Sequence, residues 1–257
     1  CVMHGEIEKE ECEIWIDGTG KILMPGLVNG HCHGDMTLAR GLGDDMTLLE
    51  QNHAFADTGW FYTLINDEDR FYSRQLTYCE ALLSGTTFIM ENMYWGLGKE
   101  SVRAMKEVGI RGALAEDIRI DFMRPDEFVS GEFLDEYKKQ CEEAGLIPVI
   151  GGISEEDYET KRLKRIRDIA GQKGMMITCH LAENTWRREI VQQRYQTSAI
   201  DYLYHNNLLD ENVIGSHVVY ATGEEIHQLA QSNAKVVNTP LCEMKICDGI
   251  APIPEMV

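Results

Sequence analysis

The chain has 257 residues, 43 acidic and 24 basic, for a formal charge of −19 with histidine neutral. That balance argues against binding to nucleic-acid phosphates or anionic membrane surfaces, which Lys and Arg carry, and no apolar run approaches the roughly 20 residues of a membrane-spanning helix. With 44% hydrophobic and 26% charged residues the composition excludes disordered and fibrous classes, and the length is near the roughly 250 residues of a (β/α)₈ barrel.

The chain opens at Cys1, read as a start inside a longer reading frame, and no secretory leader is expected. Eight cysteines without a CxxC pair predict reduced thiols and a cytoplasmic location. Residues 11–24 read as two short strands about the turn Asp17-Gly18-Thr19-Gly20. After Pro25-Gly26, short apolar runs at 27–33, 86–92, 110–118, 146–153, 175–183, 212–220 and 235–243 alternate with amphipathic, helix-length segments. The clearest helix is expected from Ser154 to Ala170, capped by Ser154, with Leu163, Ile166 and Ile169 on one face and Gly171 and Gly174 at its end. Its basic run 161–167 reads as a solvated face, because the apolar residues within it keep helical spacing. Strands alternating with helices predict βαβ units and a parallel sheet. Seven such strands precede Val257, one short of a closed barrel, so the first and seventh are expected to have unpaired edges.

Histidines recur where these strands end. His31 and His33 are two apart, so strand alternation points both to one face and Cys32 to the other. At the end of the first strand they would project from the C-terminal mouth, where barrels of this kind place their chemistry. Paired imidazoles make a half-site for a borderline cation such as Zn²⁺. His180 ends the fifth strand and His217 the sixth. Glu183, three residues beyond His180, would reach an activated water and shuttle its proton.

These residues carry a resemblance. PGLVNGHCH, MTLARGLGDD (36–45), HLAEN (180–184), the stretch 198–226 and KICDGIAPIPEM (245–256) together resemble the amidohydrolase superfamily. More narrowly, they resemble its cytosine-deaminase-like branch, which includes S-adenosylhomocysteine/methylthioadenosine and guanine deaminases and the triazine chlorohydrolases. The resemblance implies an α/β, TIM-like (β/α)₈ metallo-dependent hydrolase barrel, here cut after strand seven. Residues 1–24 would be the remnant of a small composite β-sandwich and 25–257 the barrel. It implies one divalent metal, zinc with iron as the alternative, on His31, His33 and His180. Glu183 would be the proton shuttle, and His217 would contact the attacking water or the reacting ring atom. The family's remaining ligand, an aspartate ending strand eight, has no counterpart in these seven strands.

The implied activity is hydrolytic deamination of a purine-, pterin- or triazine-like heterocycle by a cytoplasmic enzyme, a dimer when whole. No nucleic-acid or membrane partner is expected. The alternatives are dechlorination of a triazine-like ring and a catalytically incomplete metal-binding chain.

Strand seven departs from the HNPxSN pattern of many relatives, reading Asn238-Thr239-Pro240-Leu241-Cys242-Glu243. Glu243 is expected to face the pocket and accept hydrogen bonds from an N–H-rich or cationic substrate. Arg40 and Asp44-Asp45 in the first βα loop would touch substrate or brace the loop, with bracing favoured. Glu91 and Asn92 end strand two and would point to the mouth without a derivable role. Trp60, Phe61, Tyr94 and Trp95 would wall a flat-ring pocket or pack in the core.

Overall fold

A computed structural model describes residues 13–56, 64–92, 99–120 and 124–257. Its strands are β1 (Leu27–Cys32), β2 (Thr86–Asn92), β3 (Arg111–Asp117), β4 (Ile147–Ile153), β5 (Met176–Leu181), β6 (Val213–His217) and β7 (Lys235–Val237). Every one falls inside an apolar run read from the sequence. They form one seven-stranded sheet in sequence order, all neighbours parallel. That pattern requires a crossover between each pair, and helices provide them.

The helices used below are α1 (Asp67–Leu83), α2 (Lys99–Val108), α3 (Gly131–Glu143), α4 (Thr160–Lys173), α5 (Thr185–Tyr195), α6 (Ala199–His205), α7 (Gly223–Ser232) and α8 (Pro240–Lys245). None of the described helices is long and apolar enough to cross a membrane.

Strand alternation divides the core into two layers. Ile89, Leu114 and Ile150 face outward into the large cluster shared with the helices, where Tyr78, Leu134 and Ile166 meet them. Their sequence neighbours Met90, Ala113, Ala115 and Val149 face inward and form a separate cluster. An inward layer of small and medium side chains is what a barrel interior accommodates. The sheet curls until its outer strands nearly meet: a Cβ added to Gly30 of β1 would lie 3.0 Å from Val237 Cγ1 of β7. The result is a nearly closed barrel of seven parallel strands. Leu27 and Val28, at the start of β1, remain exposed, as expected of an edge strand.

Two expectations are corrected. Residues 13–24 contain no strand: a turn closes at Lys21 N to Gly18 O, 2.9 Å, and Ile14, Ile16, Ile22 and Leu23 are exposed. Among the described residues there is no second sheet to cover those side chains, so a hairpin there has nothing to pack on. Residues 1–12 lie outside the described residues.

The helix expected from Ser154 begins at Thr160. Glu155–Asp157 form a separate 3₁₀ turn. Tyr158 is pulled into the core, its hydroxyl donating to His180 O at 3.1 Å, and Glu159 then caps α4 by accepting from Arg162 N. The expected face holds: Leu163 and Ile166 are buried, and Gly174 ends the helix at φ 63°. Arg162 and Arg167 of the basic run pair with Asp126 and Asp210.

Candidate metal centre and active site

The C-terminal ends of β1, β5 and β6 bring four imidazoles together. The His31 ring centroid lies 4.9 Å from those of His33, His180 and His217, and His180 stacks 5.3 Å from His217. Ligand nitrogens of His31, His180 and His217 lie within 4.8 Å of one another. The backbone bends sharply here, with left-handed φ at Ala182 (48°), His217 (76°) and Val218 (53°). Such values are costly for residues with a Cβ. Bonds between the two strand ends hold the bend, Val218 N to Leu181 O at 2.9 Å and Tyr220 N to Ala182 O at 3.0 Å.

Second partners aim the rings. His33 Nδ1 lies 2.9 Å from Asn92 O. A carbonyl only accepts, so Nδ1 carries the proton and Nε2 offers a lone pair. The Asn92 side-chain amide meets His31 Nδ1 at 3.0 Å, and Ser154 Oγ lies 3.3 Å from His180 Nδ1. Burial pushes the pKa of His31 and His180 far down, with neighbouring imidazoles and Arg187 pushing the same way, and pushes that of His33 down to about 4 against the opposing pull of Asp35 and the Asn92 carbonyl. Neutral imidazoles are the form that binds metals. His217 Nε2 is buried without a hydrogen-bond partner. Four neutral imidazoles clustered at the barrel mouth, three of them with ligand nitrogens within 4.8 Å of one another and His33 beside them, fit a borderline divalent cation.

Glu183 sits beside this cluster, 3% exposed, with Oε1 3.6 Å from His217 Nε2. Its Oε2 pairs with Arg187 Nη1, four residues on, and Arg187 is held in turn by Glu156 at 2.7 and 2.8 Å. Glu155, fully buried, accepts the backbone N–H of Ala182 at 3.0 Å and of Glu183 at 3.3 Å. Burial raises the Glu155 pKa to about 8, against the opposing pull of Arg187 and the Ala182 N–H. Above the cluster opens a cavity of about 1280 Å³, lined by His31, His33, His180, Glu183, Arg187 and His217 among others.

The remaining candidates separate. Glu243 is 1% exposed and lies behind Thr239, both its oxygens engaged by Asn238 Nδ2 at 3.0 Å. Arg40 is exposed and pairs with Glu80 at 2.6 Å, and Asp44 pairs with Lys245 at 2.8 Å. Asn92 turns to the histidines, whereas Glu91 faces outward and meets Arg74 of α1 at 2.7 Å. Trp60, Phe61, Tyr94 and Trp95 lie outside the described residues. Sequence reasoning placed Asn92 at the mouth without a role and missed Glu155, Thr239 and Arg187 as partners of the site. Only Arg187 carried a usable signal, the i,i+4 spacing from Glu183.

A parallel barrel with histidines and a carboxylate converging at its C-terminal mouth defines the class of metal-site hydrolase barrels. The chain belongs to the amidohydrolase family, whose profile matches residues 22–257. It is 32% identical over 257 residues to a 5'-deoxyadenosine deaminase of Methanopyrus kandleri, covering 96% of this chain and 58% of that protein. To a 5-methylthioadenosine/S-adenosylhomocysteine deaminase of Aquifex aeolicus it is 30% identical over 278 residues, covering all of this chain and 61% of that one. The chain thus spans about three-fifths of the length of these relatives. In fold it resembles an adenosine deaminase of Xanthomonas campestris with bound zinc, at TM-score 0.79 and 24% identity, covering 91% of this chain and 53% of that one.

Proposed function

We propose that this chain carries the metal centre of a hydrolytic deaminase acting on an amino-substituted N-heterocycle of the adenosine type. The observation that carries the reading is the placement of Glu183 beside the four histidines at the barrel mouth, 3.6 Å from His217 Nε2. The names of the sequence relatives support the substrate class.

His31, His33 and His180 would hold one divalent metal, zinc by the choice of imidazole donors. When bound, such an ion polarises water and lowers its pKa toward about 7. Glu183 takes one proton from the attacking water, and the oxygen adds to the carbon bearing the exocyclic amine. His217 contacts the incoming oxygen. Glu183 then delivers its proton to the amine nitrogen, the C–N bond breaks and ammonia leaves. The second water proton stays with the ring as the lactam N–H, so the reaction balances. The low-polarity, buried setting strengthens each of these contacts.

Three further elements belong to this reading. Residues 1–24 are assigned to a composite sandwich and 25–257 to the barrel; the family match over residues 22–257 supports the barrel assignment. A dimer is assigned to the whole enzyme. A cytoplasmic setting is supported by the unpaired cysteines 32, 79, 141, 179, 242 and 247.

The test is ammonia release by the zinc-loaded chain from a panel of adenosine-type nucleosides, purines, pterins and aminotriazines, with chloride release from chlorotriazines run in parallel. Ammonia from the nucleosides is expected. Chloride alone, or neither product with metal bound, would overturn the reading.

A further inference from the structure

From His217 and Thr239, both on the cavity wall, a line of three side chains runs back to the buried Glu243. Thr239 Oγ1 lies 2.7 Å from His217 Nδ1 and 3.1 Å from Glu243 Oε1. Glu243 also accepts the Thr239 backbone N–H at 3.1 Å and, on both oxygens, the Asn238 side-chain amide at 3.0 Å. Donors surround this carboxylate, so it acts as an acceptor throughout.

The proton positions then follow in order. A hydroxyl has one proton, and facing a carboxylate Thr239 gives it to Glu243. Toward His217 the same oxygen only accepts, so His217 Nδ1 is the donor. The tautomer is therefore Nδ1–H, and Nε2 presents a lone pair. That nitrogen is buried without a partner and points at Glu183 Oε1, 3.6 Å away. Two acceptors facing each other across a gap are complementary to a group bringing protons or positive charge between them.

We propose that Glu243 and Thr239 are positioning residues that fix His217 as its Nδ1–H tautomer and aim its Nε2 lone pair into the reaction centre. Resting on the deaminase reading, this deepens it: the Glu243 carboxylate of α8 acts through His217, not by direct contact with the substrate. Asn238, which holds both oxygens of Glu243, completes the support.

The test is the ring-nitrogen NMR spectrum of the full chain, with and without zinc, in the wild type and in Thr239→Val, Thr239→Ser and Glu243→Gln. The wild type is expected to show His217 protonated at Nδ1 and bare at Nε2. Thr239→Val removes the acceptor and shifts the population toward Nε2–H, whereas Thr239→Ser restores the wild-type signature. Glu243→Gln weakens the tautomer preference without unfolding the site. Ammonia release should fall in kcat by about 10–100-fold in Thr239→Val, the range for lost outer partners, with KM nearly unchanged and recovery in Thr239→Ser. An Nε2–H tautomer in the wild type, or one unchanged in Thr239→Val, overturns the proposal. Because the tautomer is read without turnover, failure of the deaminase reading would appear separately, as absent ammonia with a normal spectrum.

Discussion

Glu155 holds Glu183 by the backbone: its carboxyl oxygens accept the Glu183 N–H at 3.3 Å and that of Ala182 at 3.0 Å. Ala182 is left-handed at φ 48°, a conformation that persists only when surrounding bonds over-determine it. The 3₁₀ turn carrying Glu155 therefore fixes where the Glu183 carboxylate sits. Glu155→Ala leaves two buried donors unsatisfied, at about 1–3 kcal/mol each. It should lower kcat by about 10²-fold through misplacement of Glu183. Urea unfolding and ammonia release from one preparation check both effects.

Glu183→Gln keeps the shape of the site and removes the carboxylate proposed to carry the proton. Ammonia release is expected to fall by about 10²–10⁴-fold, the range for a general acid–base, while zinc content stays at the wild-type level by elemental analysis. Loss of metal together with activity would assign Glu183 to binding instead.

Zinc should stabilise the fold through the histidine cluster. At a free concentration 100 times Kd, a ligand bound only to the native state contributes about 2.7 kcal/mol. A zinc-dependent rise in Tm is expected for the wild type, and its loss in His180→Ala and His31→Ala. Differential scanning calorimetry with and without zinc reads it directly.

The outward-facing Glu91 gives a pH signature away from the metal centre. Burial raises its pKa from 4.5 to about 7, outweighing Arg74. The folded state thus binds this proton more tightly than the unfolded chain does. Its contribution to stability is full below pH 4.5 and is lost as pH rises through 7. Unfolding free energy measured across that window should carry this downward component, and Glu91→Gln should remove it.

Much of this was legible in the sequence because two periodicities are visible there. The seven strands are short runs bounded by helix-length segments, and His31 and His33 share a face because strand side chains alternate. The same alternation placed Cys32 on the opposite side, where it packs against the outer core. What stayed illegible depends on tertiary contact. Ser154 and Asp157 imitate a helix start, but Tyr158 finds a deeper site against His180 O and Glu155 finds two backbone donors. Glu243 looked like a pocket residue from its place after strand seven. Only the fold of α8 turns it back onto Thr239, within 3.7 Å of His217 Nδ1. Glu91 ends β2 beside Asn92, yet the pleat sends one to α1 and the other to the histidines.

The central claim is hydrolysis at the carbon bearing the amine, and product analysis in heavy-oxygen water tests it most directly. Incubated with zinc and an adenosine-type nucleoside, the chain should yield a deaminated product carrying one solvent-derived oxygen, one ammonia per product, and neither with Glu183→Gln. A zinc-loaded chain that forms no labelled product, or forms it equally well without Glu183, would contradict the account.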